Sequence, residues 1–129
     1  MSSIFTKIIQ GEIPCHKVHE NNDFLAFLDI NPLQKGHTLV VPKIEVDYFF
    51  DQDDTTIQNM MIFAKVVARK IKATFPCNRV GMTVIGLEVP HAHIHLIPIN
   101  KEKDMNFRSP KLDLSSDELK SIAESLRKA

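Results

Sequence analysis

Apolar positions recur along this chain with two different periods, and the places where the period changes mark its elements. Ile4, Phe5, Ile8 and Ile9 fall on one side of a helical turn, which predicts a short amphipathic helix over residues 3 to 9, with Gly11 placed to end it. Pro14 then forces an extended exit. Two strand-like runs follow, 23–30 and 37–41, separated by the turn-rich stretch Asn31-Pro32-Leu33-Gln34-Lys35-Gly36, and an antiparallel hairpin is the economical reading. Asp51, Asp53 and Asp54 supply N-cap chemistry ahead of a long helical stripe of Ile57, Met61, Ala64, Val67 or Ala68, and Ile71, which predicts a helix covering one face of the sheet. Alternation returns over 79–85, Gly86 to Pro90 turns, and a last strand is expected from His91 to about Ile99. Residues 100–114 are polar and irregular and are expected over the surface or partly disordered. Ser115 and Glu118 make a capping box, and Leu119, Ile122, Ala123 and Leu126 mark a final amphipathic helix. The expected fold is α+β: an antiparallel meander sheet with a long covering helix and short helices at both ends.

Composition narrows the partners more than the fold. The 129 residues are 43% hydrophobic and 25% charged, enough for one domain with a sizeable core. Lys plus Arg and Asp plus Glu number 16 each, so no long-range field favours a nucleic acid polymer or a membrane surface. Cys15 and Cys77 are isolated, which reads as free thiols in a reducing compartment. With no signal-like start and no long apolar run, a cytoplasmic protein is expected.

Three of the six histidines stand at alternate positions in Pro90-His91-Ala92-His93-Ile94-His95-Leu96-Ile97-Pro98. On a strand they would form one row spaced roughly 6.6 Å apart, with Ala92, Ile94 and Leu96 turned the other way into a core. Core packing does not call for three adjacent imidazoles, each with polar nitrogens that need partners. The row therefore reads as a reactive surface.

With the hairpin and this row in place, the chain resembles the histidine-triad (HIT) family of nucleotide-binding proteins, and within it the Hint-like branch, over about residues 1–100. The motif His-x-His-x-His-x-x, with x apolar, is matched by His91 to Ile97. Ile4-Phe5-Thr6-Lys7-Ile8-Ile9 through Gly11-Glu12-Ile13-Pro14 resembles the family's N-terminal half. So does Phe27-Leu28-Asp29-Ile30-Asn31-Pro32 through Gly36-His37-Thr38-Leu39-Val40-Val41-Pro42. Residues 101–129 would be a C-terminal extension of the same single domain.

The resemblance implies a nucleotidyl hydrolase or transferase that cleaves nucleoside 5'-phosphoramidates or related conjugates through a nucleotidyl-histidine intermediate. His93 would be the nucleophile and His95 would contact the phosphate or the leaving-group oxygen, while His91 and His37 would orient the row. Asp29 would bind the ribose hydroxyls. Ile4, Phe5, Ile8, Phe27 and Ile30 would form the slot for a purine base, with Glu88 and Val89 nearby. A neutral imidazole is nucleophilic near pH 7, and flanking imidazoles can donate hydrogen bonds where charge builds up, so no metal or other cofactor is required. A homodimer is implied as well. On residue chemistry alone, Asp29 also reads as the start of a turn, and Phe5, Phe27 and Ile30 as ordinary core.

The chain departs from the family pattern before the triad. Relatives often carry a serine there, where this chain has Glu88 in Gly86-Leu87-Glu88-Val89-Pro90. A carboxylate at that place is expected to disfavour anionic leaving groups and to tolerate amines. Some bacterial relatives hold zinc through a cysteine pair, at positions occupied here by Ser3 and Thr6. Three other readings stay open: a dinucleoside polyphosphate hydrolase; a nucleotide-binding regulatory module with little turnover; and a zinc site in which His37, Glu88 or Asp29 completes a His-x-His pair.

Overall fold

A computed structural model describes residues 2–129 as a five-stranded antiparallel sheet with helices on both faces. Its strands are β1 (Lys17–Glu20), β2 (Phe24–Leu28), β3 (Thr38–Pro42), β4 (Arg79–Thr83) and β5 (Ile94–Ile99), in the spatial order β1-β2-β3-β5-β4. The first three strands form the expected meander. The long helix then carries the chain to the far edge, so that β5 returns between β3 and β4.

The expected hairpin is present, with Phe24 opposite Pro42 and Ala26 opposite Val40. Every residue of β2 and β3 is buried, because alternate side chains go to two different cores. Phe24, Ala26, Leu28 and Val40 face the helices α2 (Asp54–Thr74) and α3 (Ser116–Lys128). Leu25, Phe27, Leu39 and Val41 face α1 (Ile4–Ile9), whose Phe5 joins them. At only six residues, α1 is too short to persist without such packing. Gly36 closes the hairpin loop at φ 97°, and a Cβ there would lie 2.7 Å from the Phe75 ring, so glycine is required by both backbone and space.

Helix α2 begins where the aspartates place it: the Asp53 carboxylate accepts the Thr56 N–H at 2.7 Å. Its buried stripe is Met60, Phe63, Ala64, Val67 and Ile71. Met60 rather than the expected Met61 faces the core. Capping at Ser115 and Glu118 starts α3 as expected, and Leu119, Ala123 and Leu126 bury its inner face. Among the described residues no helix is long and apolar enough to cross a membrane.

Three expectations need correction. Strand β1 was not expected; it pairs with β2 at the sheet edge, and only Val18 of its four residues is buried, leaving no alternation to read. The last strand starts at Ile94 rather than His91. The turn bond from the His91 N–H to the Val89 carbonyl, and that from the Ala92 N–H to the Val46 carbonyl at 2.6 Å, take this backbone out of the ladder. Residues 100–114 are not a loose surface segment. A 3-10 turn over Glu102–Met105 is braced by the Asp104 carboxylate, which accepts the Asn100 N–H at 2.8 Å, and Leu114 packs against the main core.

Candidate active site

The cavity lies on the α1 face of the sheet and has a volume of about 470 Å³. Helix α1 contributes Ile4, Phe5 and Ile8. The end of β2 and the residues after it contribute Phe27, Leu28, Asp29, Ile30 and Asn31. The turn after β4 contributes Ile85 to Val89, and His93, His95, Phe107 and Lys111 complete the wall. Ile4 and Ile30 stand 49% and 64% exposed at its rim, apolar surface that a flat ligand would cover.

Its floor is a row of rings. Phe27 meets Phe5 edge-on at 5.5 Å between centroids, Phe5 meets His93 at 5.0 Å, His93 meets His95 at 4.9 Å, and His95 meets Phe107 at 4.9 Å. Although the chain enters β5 only at Ile94, the alternation persists: Ala92, Ile94 and Leu96 lie in the main core, and His91, His93 and His95 turn the other way. The histidines are not an open surface, as the sequence suggested. Their exposures are 0%, 5% and 8%: His93 and His95 form the base and wall of a recess, and His91 is buried behind them.

Hydrogen bonds fix the tautomer of each ring, since a neutral imidazole has one donor and one acceptor nitrogen. Leu33 N–H donates to His37 Nδ1 at 3.0 Å, which puts the His37 proton on Nε2. That proton is donated to His95 Nδ1 at 3.0 Å, leaving His95 with its proton on Nε2. His91 donates from Nε2 to the Pro42 carbonyl at 2.8 Å and accepts at Nδ1 from the Ser3 hydroxyl at 2.8 Å. His93 donates from Nδ1 to the His91 carbonyl at 2.7 Å, so its Nε2 keeps a free lone pair. Of the two rings that line the cavity, one thus has a free acceptor nitrogen and the other a free donor.

Burial holds these rings neutral. His37 is pushed down to about 3 and His95 to about 4, in both cases chiefly by desolvation, with repulsion between histidines that would both carry a proton adding to it and, at His37, the Lys111 charge as well. Desolvation also lowers His91 and His93, against the opposing effect of their hydrogen bonds to carbonyl oxygens. Desolvation raises Asp29, although the Asn31 N–H donates to its carboxylate. At the other end of His91, the Glu45 carboxylate accepts the Ser3 N–H and the Thr6 hydroxyl, both at 2.6 Å, and is held down at about 2 by those bonds. Ser3 therefore links the start of α1 to the triad, a role the sequence reading did not give it.

Asp29, His37 and His95 bring ligand atoms within 4.8 Å of one another, the one such cluster among the described residues. The cluster is not set for a cation. His37 Nε2 would have to shed its proton to Nδ1, where the Leu33 N–H already points.

The other residues singled out in the sequence fall as follows. Asp29, Ile30, Phe27, Phe5, Ile4, Ile8, Glu88 and Val89 all line the cavity, as do His93 and His95. His91 and His37 stand behind those two histidines and bond to them. Cys15, Leu39, Phe107 and Lys111 line the cavity as well, though the residue pattern assigned them no place in the site.

The chain is similar to known proteins in sequence and in fold. The model of the HIT domain matches residues 10–102. An adenosine 5'-monophosphoramidase of Schizosaccharomyces pombe is 34% identical over 128 residues, covering 98% of this chain and 96% of that protein. A HIT-like protein of Borreliella burgdorferi is 36% identical over 128 residues, covering 93% and 92%. A crystal structure of a HIT-like protein from Bartonella henselae superposes with a TM-score of 0.85 at 28% identity, covering 98% of this chain and 95% of that one.

Proposed function

The chain belongs to the HIT family, and from that premise we propose that it is a nucleotidyl hydrolase or transferase that cleaves nucleoside 5'-phosphoramidates or related nucleotide conjugates through a nucleotidyl-histidine intermediate. The observation that carries the reading is the bond from His93 Nδ1 to the His91 carbonyl, which leaves an unprotonated Nε2 on a ring that lines the cavity. The likeness to a monophosphoramidase supports the same class of substrate.

On this reading the base lies in the slot of Ile4, Phe5, Ile8, Phe27 and Ile30, next to Val89, and Asp29 accepts hydrogen bonds from the ribose hydroxyls. The α-phosphate sits between His93 and His95. The lone pair of His93 Nε2 forms the bond to phosphorus, and the bond from phosphorus to the leaving group breaks, its electron pair departing with a leaving group that takes up a proton. His95 Nε2–H donates to the phosphoryl oxygen, where negative charge grows. Water then attacks phosphorus and gives up a proton to the solvent, balancing the one the leaving group took from it; the N–P bond breaks, and its electron pair returns to His93. His37 and His91 act through the rings they hold: each fixes a tautomer, and a wrong tautomer would leave His95 without a donor or His93 without a lone pair.

Intact-mass analysis after rapid alkaline quench from adenosine 5'-phosphoramidate tests this reading. The expected result is a nucleotidyl adduct that maps to His93 and disappears as AMP accumulates. Bound nucleotide with unchanged substrate would establish a binding module with little turnover instead. The reaction is expected to survive exhaustive chelation, and a loss restored by zinc alone would overturn the metal-free scheme.

We also propose that the protein works as a homodimer. The free edge of β4 carries exposed Met82, Val84 and Ile85 lie beside it in the chain, and α2 leaves Met61, Ile62 and Val66 uncovered. An unpaired edge with apolar neighbours is the kind of surface proteins cover with a two-fold mate. Light scattering at micromolar concentration should report about twice the chain mass of 14.7 kDa. A fully active monomer would defeat the proposal.

A further inference from the structure

Past the matched domain span, the chain returns to the cavity and places Phe107 and Lys111 in its wall. Phe107 lies edge-on to His95 at 4.9 Å and to His37 at 6.1 Å, and so ends the row of rings that starts at Phe27 and Phe5. The Lys111 ammonium sits 5.8 Å from the centre of the Phe107 ring and donates to the carbonyl oxygens of Phe107 and Ser109. A bond from the Leu112 N–H to the Pro32 carbonyl at 2.8 Å ties this strap to the β2–β3 loop. The cation is therefore held by the strap rather than left on a free side chain.

Charge gives the strap a meaning. Lys111 is the one lysine or arginine among the described residues that line the cavity, and the histidines there are neutral. Asp29 and Glu88 face the same space, and the Lys111 charge reaches far enough to oppose the rise at Asp29 and add to the fall at His37. With the base slot at the Phe5 end of the row and the α-phosphate at His93 and His95, the Phe107 end is what remains for the leaving group. In phosphoryl transfer, nucleophile and leaving group lie roughly in line on opposite sides of phosphorus, so the departing atom is carried away from His93.

Resting on the nucleotidyl-transfer reading, we propose that Phe107 and Lys111 form a leaving-group subsite, and that Lys111 determines specificity by admitting anionic phosphate or polyphosphate leaving groups beside neutral amines. When a phosphate leaves, the bond from the α-phosphorus to the bridging oxygen breaks and its electron pair stays on that oxygen. The ammonium meets the charge as it appears, opposing the repulsion from Glu88.

The test compares binding of AMP with binding of α,β-methylene-ADP, whose second phosphonate occupies the leaving-group position and cannot be cleaved. In Lys111→Met the preference for the diphosphate analogue should fall about tenfold, the size of one lost charge-assisted hydrogen bond, and Lys111→Arg should restore most of it. The same ratio should fall in kcat/KM for a dinucleoside tetraphosphate against a phosphoramidate. An unchanged ratio with AMP binding intact would overturn the subsite and leave Lys111 as a clasp for the strap. A chain that binds neither nucleotide would overturn the nucleotide reading itself, and this proposal with it.

Discussion

His93→Ala should lower turnover by at least about three orders of magnitude while nucleotide still binds. A missing nucleophile removes a covalent route that exists only on the way to the transition state, whereas the base slot and Asp29 act on the bound ground state as well. The expected signature is a collapse of kcat with a dissociation constant for AMP within about tenfold of the parent protein, together with loss of the adduct in intact-mass analysis. His93 also fills the floor between Phe5 and His95, so its removal opens a gap in the ring row. His93→Asn keeps more of that volume, and adding imidazole to His93→Ala separates chemistry from packing. Rescue of turnover by free imidazole is expected, because the ligand can enter the gap and present a lone pair to phosphorus. Substantial hydrolysis by either purified variant without imidazole would remove His93 from the nucleophile's role.

His91→Ala should behave differently, since its ring never reaches the cavity. The Ser3 hydroxyl and the Pro42 carbonyl would both lose buried partners, which costs stability, and the peptide carbonyl that clasps His93 would lose its anchor. Activity should fall with a lowered melting temperature, a combination that a change at the reacting atoms alone would not give.

What the sequence made legible was whatever repeats. Unbroken apolar runs bounded by turn residues wrote β2 and β3 plainly because each of those strands feeds two cores, and period 3.6 with an aspartate cap wrote α2. Adjacent methionines defeated the finer reading: residues 60 and 61 are about 100° apart on a helix, and only the position of Phe63 in the stripe shows which one faces inward. The histidine alternation survived even though its first half is outside the ladder, because Ala92 still enters the core while its N–H goes to Val46. That partner comes from a distant loop and leaves no periodic trace. The same holds for the strap: Phe107 and Lys111 sit in a polar stretch whose order comes from side chains bonding to nearby backbone, such as Asp104 to Asn100 and Asn106 to Arg108. Ser3 could have been found from its N-cap chemistry, but its bond to a histidine 88 positions away could not.

The second large effect is on stability against acid. His37 is 1% exposed, with its acceptor nitrogen facing the Leu33 N–H and its donor facing His95, so a second proton would have no acceptor to point at. The folded chain accordingly resists protonation down to about 3 at His37 and about 4 at His95, whereas the unfolded chain takes up protons near the ordinary histidine value of 6.5. Below 6.5 the unfolded state therefore binds more protons than the folded one, and stability falls as pH falls. Each such histidine removes about 1.4 kcal/mol per pH unit over that window, on the order of 2 kcal/mol by pH 5, out of a total that for a domain of this kind is about 5 to 15 kcal/mol. Above pH 7 these rings are neutral in both states, so the penalty is absent and no further gain is expected. Asp29 works in the opposite sense, since its raised value favours the folded state as it takes up a proton, so the histidine contribution is read as a difference in slope between proteins that both keep Asp29. Urea unfolding across that window should show a falling midpoint. His37→Asn offers an amide oxygen to Leu33 and an amide N–H to His95 without a titrating group, so it should be less stable than the parent at pH 7.5 yet lose stability more slowly, with the slope reduced by about 1.4 kcal/mol per pH unit. An identical slope in the two proteins would mean that His37 accepts its proton in the folded state as readily as in the unfolded one, and the buried neutral tautomer chain from Leu33 through His95 would then be wrong.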